Sequence, residues 1–294
     1  MMTLRHLPAL LLTCTACALS SIGRAELNLT PSPASSDDLA FSGAWTGVPT
    51  GEKRYVSRAA LAALPGAKTL TDRTWPTTKP VEMTVVPLAE VIAAIGWTDQ
   101  ADGVVLRGED RWESWMPAHF LQERDPYLLL YYKGKAPAEG GWPDFGGIEP
   151  MAPYYAFVSP TRFPDFKDQT PFGMISATQI AEIVAATEKD RYAPFYAGAL
   201  AELEGDAAAG RTLFLARCNV CHQGPGETGG NVSQRPFMLL QVHATLNADY
   251  FKAMVRDPKK FYPGTIMPRH PDLTAANLNE LIAFLAAAKA GGIN

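Results

Sequence analysis

Residues 205–222 read Gly205-Asp206-Ala207-Ala208-Ala209-Gly210-Arg211-Thr212-Leu213-Phe214-Leu215-Ala216-Arg217-Cys218-Asn219-Val220-Cys221-His222. The end of this stretch carries the chemistry. Cys218 and Cys221 stand three residues apart, and His222 follows at once. On a helical turn, side chains three apart project to one side. Each thiol can then add to a vinyl group of a haem, and the adjoining imidazole reaches the iron from the same side, which is the C-x-x-C-H attachment pattern. Composition alone makes such a run by chance on the order of one time in a thousand. A structural zinc site wants a second pair of ligands. A thioredoxin-like thiol pair wants a βαβ setting, which the flanking sequence lacks.

Working outward, Gly210, Phe214 and Cys218 fall four apart, on one helix face. A second helix is expected over Leu273–Lys289, with Thr274 as its N-cap and Leu278, Leu281, Ile282 and Leu285 on its apolar stripe. A third is expected over Ala248–Val255, between Asn247 and Asp257-Pro258. With these features residues 204–290 resemble a class I cytochrome c, an all-α fold. The resemblance implies that the first and last helices cross closely at a glycine and an aromatic, here Gly210 and Phe284. It also implies one covalent haem c per chain, held by Cys218 and Cys221, with His222 as one axial ligand of the iron and a methionine sulfur as the other.

That sulfur is expected from Met267, a lone methionine between breakers in Tyr262-Pro263-Gly264-Thr265-Ile266-Met267-Pro268, just ahead of the final helix. A thioether there raises the reduction potential relative to a second histidine. Among the competitors, Met254 reads as core and Met238, in the apolar run Phe237–Leu240, reads as crevice lining. His243 and His270 are the alternatives for a bis-histidine haem, with His270, next to Pro271, expected in solvent. The resemblance further implies a proline carbonyl that accepts the other N–H of His222 and fixes its orientation. Pro236, beyond the Gly224–Gly230 loop, is expected in that role ahead of Pro225, whose loop is tighter.

The first 25 residues read as an export signal. Arg5 and His6 make a basic start, Leu7–Leu19 is apolar but too short to span a bilayer, and Gly23-Arg24-Ala25 offers a small-residue cleavage point. Two of the four cysteines, Cys14 and Cys17, lie inside it, so Cys218 and Cys221 remain for chemistry and no disulfide framework is available. A periplasmic or otherwise exported chain, soluble and without a membrane span, is the expectation.

Residues 39–188 alternate strand and loop signals with frequent prolines. Val81, Met83 and Val85 alternate, and Pro87 opens a short helix, Leu88–Ile95, closed by Gly96. Gly103–Arg107, Arg111–Met116, Leu128–Tyr132 and Tyr154–Val158 read as strands, while Ile175–Ala186 fits helix or strand. The class is α+β with an antiparallel-rich sheet. The aromatics Trp112, Trp115, Tyr131 and Tyr132 read as packing, and His119 as a histidine without a role. Residues 189–204 read as a charged, partly helical linker, and 205–294 as the haem domain.

Three stretches carry a second resemblance: Val56-Ser57-Arg58-Ala59-Ala60-Leu61-Ala62-Ala63-Leu64, Val86-Pro87-Leu88-Ala89-Glu90-Val91-Ile92-Ala93-Ala94-Ile95-Gly96, and Leu128–Lys133 with Lys135-Ala136-Pro137. With them the N-terminal domain resembles the molybdopterin-binding domain of sulfite-oxidase-type enzymes. That family holds molybdenum through a cysteine thiolate, whereas residues 26–217 contain no cysteine. The resemblance therefore implies the fold without the metal, and no molybdenum is expected.

Charge divides with the domains. Residues 26–204 carry 15 basic and 24 acidic side chains, and residues 205–294 carry 9 and 6. Arg256, Lys259, Lys260 and Arg269 gather around the Met267 loop. A basic rim there would steer an acidic redox partner or dock the chain's own acidic domain, against the plainer account of a solvated surface. Basic runs of the kind that bind nucleic acid are absent. Two function classes follow: an electron carrier or haem subunit of an oxidoreductase, or an oxidoreductase whose N-terminal domain itself binds a cofactor or substrate.

Overall fold

The computed structural model describes residues 26–74, 79–145, 149–164, 176–230, 232–233 and 235–294. The expected export signal lies outside the described residues. Among them, two five-stranded sheets make up the N-terminal part of the chain. One sheet is ordered β2 (Lys53–Val56), β1 (Leu39–Gly43), β12 (Ile180–Ala186), β5 (Gly103–Gly108), β6 (Glu113–Pro117). The other is ordered β11 (Ser176–Ala177), β10 (Tyr155–Phe157), β7 (Tyr127–Tyr132), β4 (Val81–Pro87), β3 (Lys68–Asp72). Separately, β8 (Asp144–Phe145) pairs antiparallel with β9 (Glu149–Pro150). Within the sheets β1 and β12 pair in parallel, and the other pairings are antiparallel.

Period-two alternation explains the layering. Val86, Leu128, Leu130 and Ala156 face the main core, while Met83, Val85, Leu129, Tyr155 and Phe157 build a second apolar cluster. Three short helices edge this part: α1 (Arg58–Ala62), α2 (Leu88–Ile95) and α3 (Ala118–Arg124). The Ser57 side chain caps α1 by accepting from the Ala60 N–H, and Gly96 ends α2 at φ +78°, where a side chain would be strained.

The segment that fitted helix or strand is strand from Ile180 to Ala186. Its helical period loses to backbone pairing on both edges, with β1 and β5. The strand carries Glu182, 5% exposed, which the structure satisfies from Ser42 Oγ at 2.6 Å, Lys53 Nζ at 2.8 Å and Arg107 Nη1 at 3.0 Å. Burial works to raise its pKa, but these donors outweigh it and hold the carboxylate below its ordinary range.

The expected charged linker is a packed wedge. Its turn α4 (Glu188–Arg191) leads to Tyr192, Phe195 and Leu200, all buried. Tyr192 meets the Trp115 ring of β6 edge-on at 6.3 Å and Phe195 edge-on at 6.0 Å. Phe195 in turn lies 5.8 Å from Phe214 and stacks on Phe284 at 6.0 Å. A single apolar core consequently runs from the first sheet into the C-terminal helices.

Those helices are α5 (Gly205–Arg217), α6 (Phe237–Leu246), α7 (Ala248–Arg256) and α8 (Ala275–Ala290). Thr274 caps α8 as expected, in a reciprocal pair with Asn277. Helices α5 and α8 cross at Gly210, where an added Cβ would strike the Glu280 carbonyl oxygen and come within 2.9 Å of the Phe284 Cβ. Helix α6 was expected only as an apolar run. Pro236 starts it, and its own period turns Met238 outward, 54% exposed. Among the described residues, no helix is long and apolar enough to cross a membrane.

Candidate haem site

The attachment motif continues the last turn of α5. The Cys218 N–H bonds the Phe214 carbonyl at 2.8 Å, the Cys221 N–H bonds Cys218 at 3.1 Å, and the His222 N–H bonds Cys218 at 2.8 Å. Two further bonds pin the turn from the following loop: the Gly230 N–H to the Asn219 carbonyl at 3.1 Å, and the Ser233 N–H to the Cys221 carbonyl at 2.7 Å. Gly229, at φ +71°, lies so close to the Asn219 carbonyl that no side chain fits. The glycine-rich loop is therefore required by contact with the motif.

Cys218, Cys221, His222 and Met267 line one cavity of about 720 Å³. Its size lies within the roughly 300–1,000 Å³ of cofactor sites. Phe251 and Val255 of α7, Leu281 and Leu285 of α8, Leu240 of α6 and Leu273 supply apolar walls. Arg217 and Arg235 add two cations, and none of the described lining residues is Asp or Glu. An apolar macrocycle with anionic edge groups fits this lining. So does the imidazole: His222 Nδ1 is buried without a hydrogen-bond partner among the described residues. Burial first, then Arg235, lowers the His222 pKa, which keeps its ring neutral and able to donate a lone pair.

The thiols are of the wrong kind for disulfide exchange. Burial pushes Cys218 up to about 12 and Cys221 upward as well, so neither is held as a reactive thiolate. Among the described residues, no three Cys, His, Asp or Glu side chains converge as a metal cluster.

Several expectations change here. Pro236 does not meet His222: it is exposed at the N-terminus of α6, and its carbonyl accepts from the Leu239 N–H at 3.0 Å. Pro225 is buried, but its carbonyl is taken by Thr228. Met238 points away from the crevice, and Leu239 and Leu240 line it instead. His270 is not a solvated residue but half-buried in the cavity lining, where burial first and Arg217 second push its pKa down to about 4. Met254 and His243 line the cavity too. Met254 is fixed on α7, whereas Met267 sits on the non-helical loop, its N–H bonded to Thr265 Oγ1 at 3.1 Å.

The family model described as "Cytochrome C oxidase, cbb3-type, subunit III" matches residues 205–285. Those residues form a cytochrome c domain. A curated relative, "Cytochrome c oxidase subunit 2" of Alkalihalophilus pseudofirmus, is 30% identical over 115 residues, covering 35% of this chain and 33% of the relative. The chain thus spans about a third of that relative's length.

Sequence reasoning singled out Cys218, Cys221 and His222, which the structure places in the cavity of the cytochrome c domain, but missed the arginines that line it. Arg217 precedes Cys218 directly, and that adjacency was the available signal: a residue one step from a candidate attachment cysteine lies at the same cavity. Arg235 had no comparable signal, because the loop that returns it to the cavity has no regular pattern.

Proposed function

We propose that this chain is an exported, periplasmic-type cytochrome c that passes single electrons through one haem c bound to Cys218 and Cys221. The observation that carries the proposal is the convergence of Cys218, Cys221, His222 and Met267 on one apolar cavity. In this reading His222, through its neutral ring, and Met267, through a soft sulfur, would hold the iron. The haem, when bound, supplies a reversible one-electron couple whose potential the sulfur ligand raises. The protein's part is to exclude water with the walls of α6, α7 and α8, to balance anionic edge groups with Arg217 and Arg235, and to hold both ligands in place.

The domains in this reading are a signal over 1–25, an α+β domain over 39–188, a connecting segment over 189–204 and the cytochrome c domain over 205–294. The α+β domain is a sulfite-oxidase-like fold that lacks the cysteine for molybdenum and serves recognition of an oxidoreductase. The similarity to proteins named as oxidase subunits supports a place beside a larger redox complex. Arg256, Lys259 and Lys260, exposed beside the cavity loop, support an acidic partner.

Acid-denaturing extraction tests the covalent link. Haem is expected to stay with the chain, and Cys218→Ala or Cys221→Ala to weaken or abolish assembly. Haem extracted freely from the unmodified protein would falsify the proposal. Metal analysis of anaerobically purified protein with molybdenum near one per chain would overturn the carrier reading.

A further inference from the structure

Arg217 ends α5 and adjoins Cys218, with a side chain only 10% exposed. Its Nη2 lies 3.0 and 2.8 Å from the two carboxylate oxygens of Asp272, five residues beyond Met267. The pair joins the segment that carries the attachment motif to the loop that carries Met267. We propose that the Arg217–Asp272 ion pair is a strap seating that loop over the cavity, which makes Arg217 a positioning residue for the sixth ligand. The inference rests on the assignment of Met267 and deepens it.

The loop needs such a strap because its backbone holds itself only at its ends, where the Thr265 N–H bonds the Tyr262 carbonyl at 3.0 Å and the Leu273 N–H the His270 carbonyl at 3.3 Å. Among the described residues, no N–H from Ile266 to Asp272 reaches a backbone carbonyl, and that of Met267 goes to the Thr265 side chain. Chain entropy therefore opposes a fixed position for the sulfur. The other ties come from the far side: Arg256 Nε reaches the Leu273 carbonyl at 3.4 Å, and Arg269 pairs with Asp257 at 3.4 Å across exposed surface. Exposed pairs of that kind hold little. Arg217–Asp272 is shorter, charge-assisted, and sheltered on its Arg217 side, while Asp272 stands at the surface. Losing either partner removes the tie on the loop, and losing Asp272 also leaves the mostly buried Arg217 without this counter-charge.

Imidazole binding to the ferric holoprotein measures the strap, because imidazole must displace the sulfur. Its apparent affinity rises in proportion to the open fraction of the loop. Arg217→Gln and Asp272→Asn are each expected to bind imidazole at least tenfold more tightly than the parent and to weaken the near-infrared sulfur-to-iron band. Arg217→Lys should fall between, keeping the charge but not the planar fork. The double variant should gain no more than either single one, since both remove the same interaction. Should Arg217→Gln fail to assemble haem, Asp272→Asn decides alone, as it lies away from the thioether links. A parent with the sulfur band and an Asp272→Asn variant with unchanged imidazole affinity would overturn the strap alone. A parent without the band overturns the Met267 assignment and the strap together.

Discussion

Truncating Phe195 to alanine cuts the run of ring contacts that leads from Trp115 of the sheet half through Tyr192 to Phe214 and Phe284 of the haem half. The ring is fully buried, stacked on Phe284 at 6.0 Å, tilted on Phe214 at 5.8 Å and met edge-on by Tyr192 at 6.0 Å. Phe-to-Ala changes in cores cost about 3–5 kcal/mol, the lost transfer energy plus a cavity. Three aromatic neighbours place this site at the upper end, because each pair contributes roughly 0.5–1.5 kcal/mol beyond area alone. The walls have little room to collapse, since Gly210 already fixes the α5–α8 crossing. In a chain of this size the loss corresponds to a fall in melting temperature of roughly 6–20 °C. The assay is thermal unfolding followed twice, by haem absorption for the C-terminal half and by far-ultraviolet circular dichroism for the sheets. The parent should melt as one unit, and Phe195→Ala should separate the two signals. A cost below about 1 kcal/mol, or coincident melting in the variant, refutes the claim that Phe195 couples the halves.

Gly210→Ala should also destabilise. The helix-propensity gain of about 1 kcal/mol is outweighed because the new Cβ meets the Glu280 backbone, which cannot swing aside; a more stable variant in urea unfolding would contradict the close crossing. Met267→Ala should abolish the near-infrared sulfur band of the ferric protein, and Met267→His should lower the potential measured by redox titration. An unchanged spectrum in Met267→Ala moves the ligand role to His243 or His270. Reversing Lys259 and Lys260 to Glu should slow electron transfer with an acidic partner at low salt and leave the potential alone, as checked by stopped-flow rates across ionic strength.

What was legible in the sequence was what local chemistry dictates. The motif Cys218–His222 needs only spacing, Thr274 needs only a capping side chain and a following apolar stripe, and Leu88–Ile95 needs a proline before it and a glycine after it. What was not legible depended on a partner distant in the chain. Ile180–Ala186 is a strand because β1 and β5 flank it, which its own periodicity does not encode. Helix α6 is apolar nearly all round, so its period gave no face, and Met238 was assigned inward when it lies outward. Residues 189–204 read as a charged, partly helical linker because their charges are local, while the pocket that takes Phe195 is assembled from α5 and α8.

The packed linker also bears on the basic rim. Two accounts placed those charges in a role: docking against the acidic sheet half, or steering a partner. Among the described residues, no ion pair joins Arg256, Lys259, Lys260 or Arg269 to the sheets, and the pair that Arg269 makes, with Asp257, is within the haem half. The halves are instead joined through the connecting segment, by the apolar contacts of Tyr192 and Phe195 and by the Arg191–Glu113 ion pair at 2.5 Å. Neither contact draws on the rim charges. Lys259 and Lys260 are left exposed beside the cavity loop, where Ile266 is 80% exposed. An apolar spot beside exposed cations suits a brief encounter, with charge setting the approach and small apolar area keeping release fast. Among the described residues the contacts that join the halves do not involve the rim, which favours the account in which it meets a second molecule.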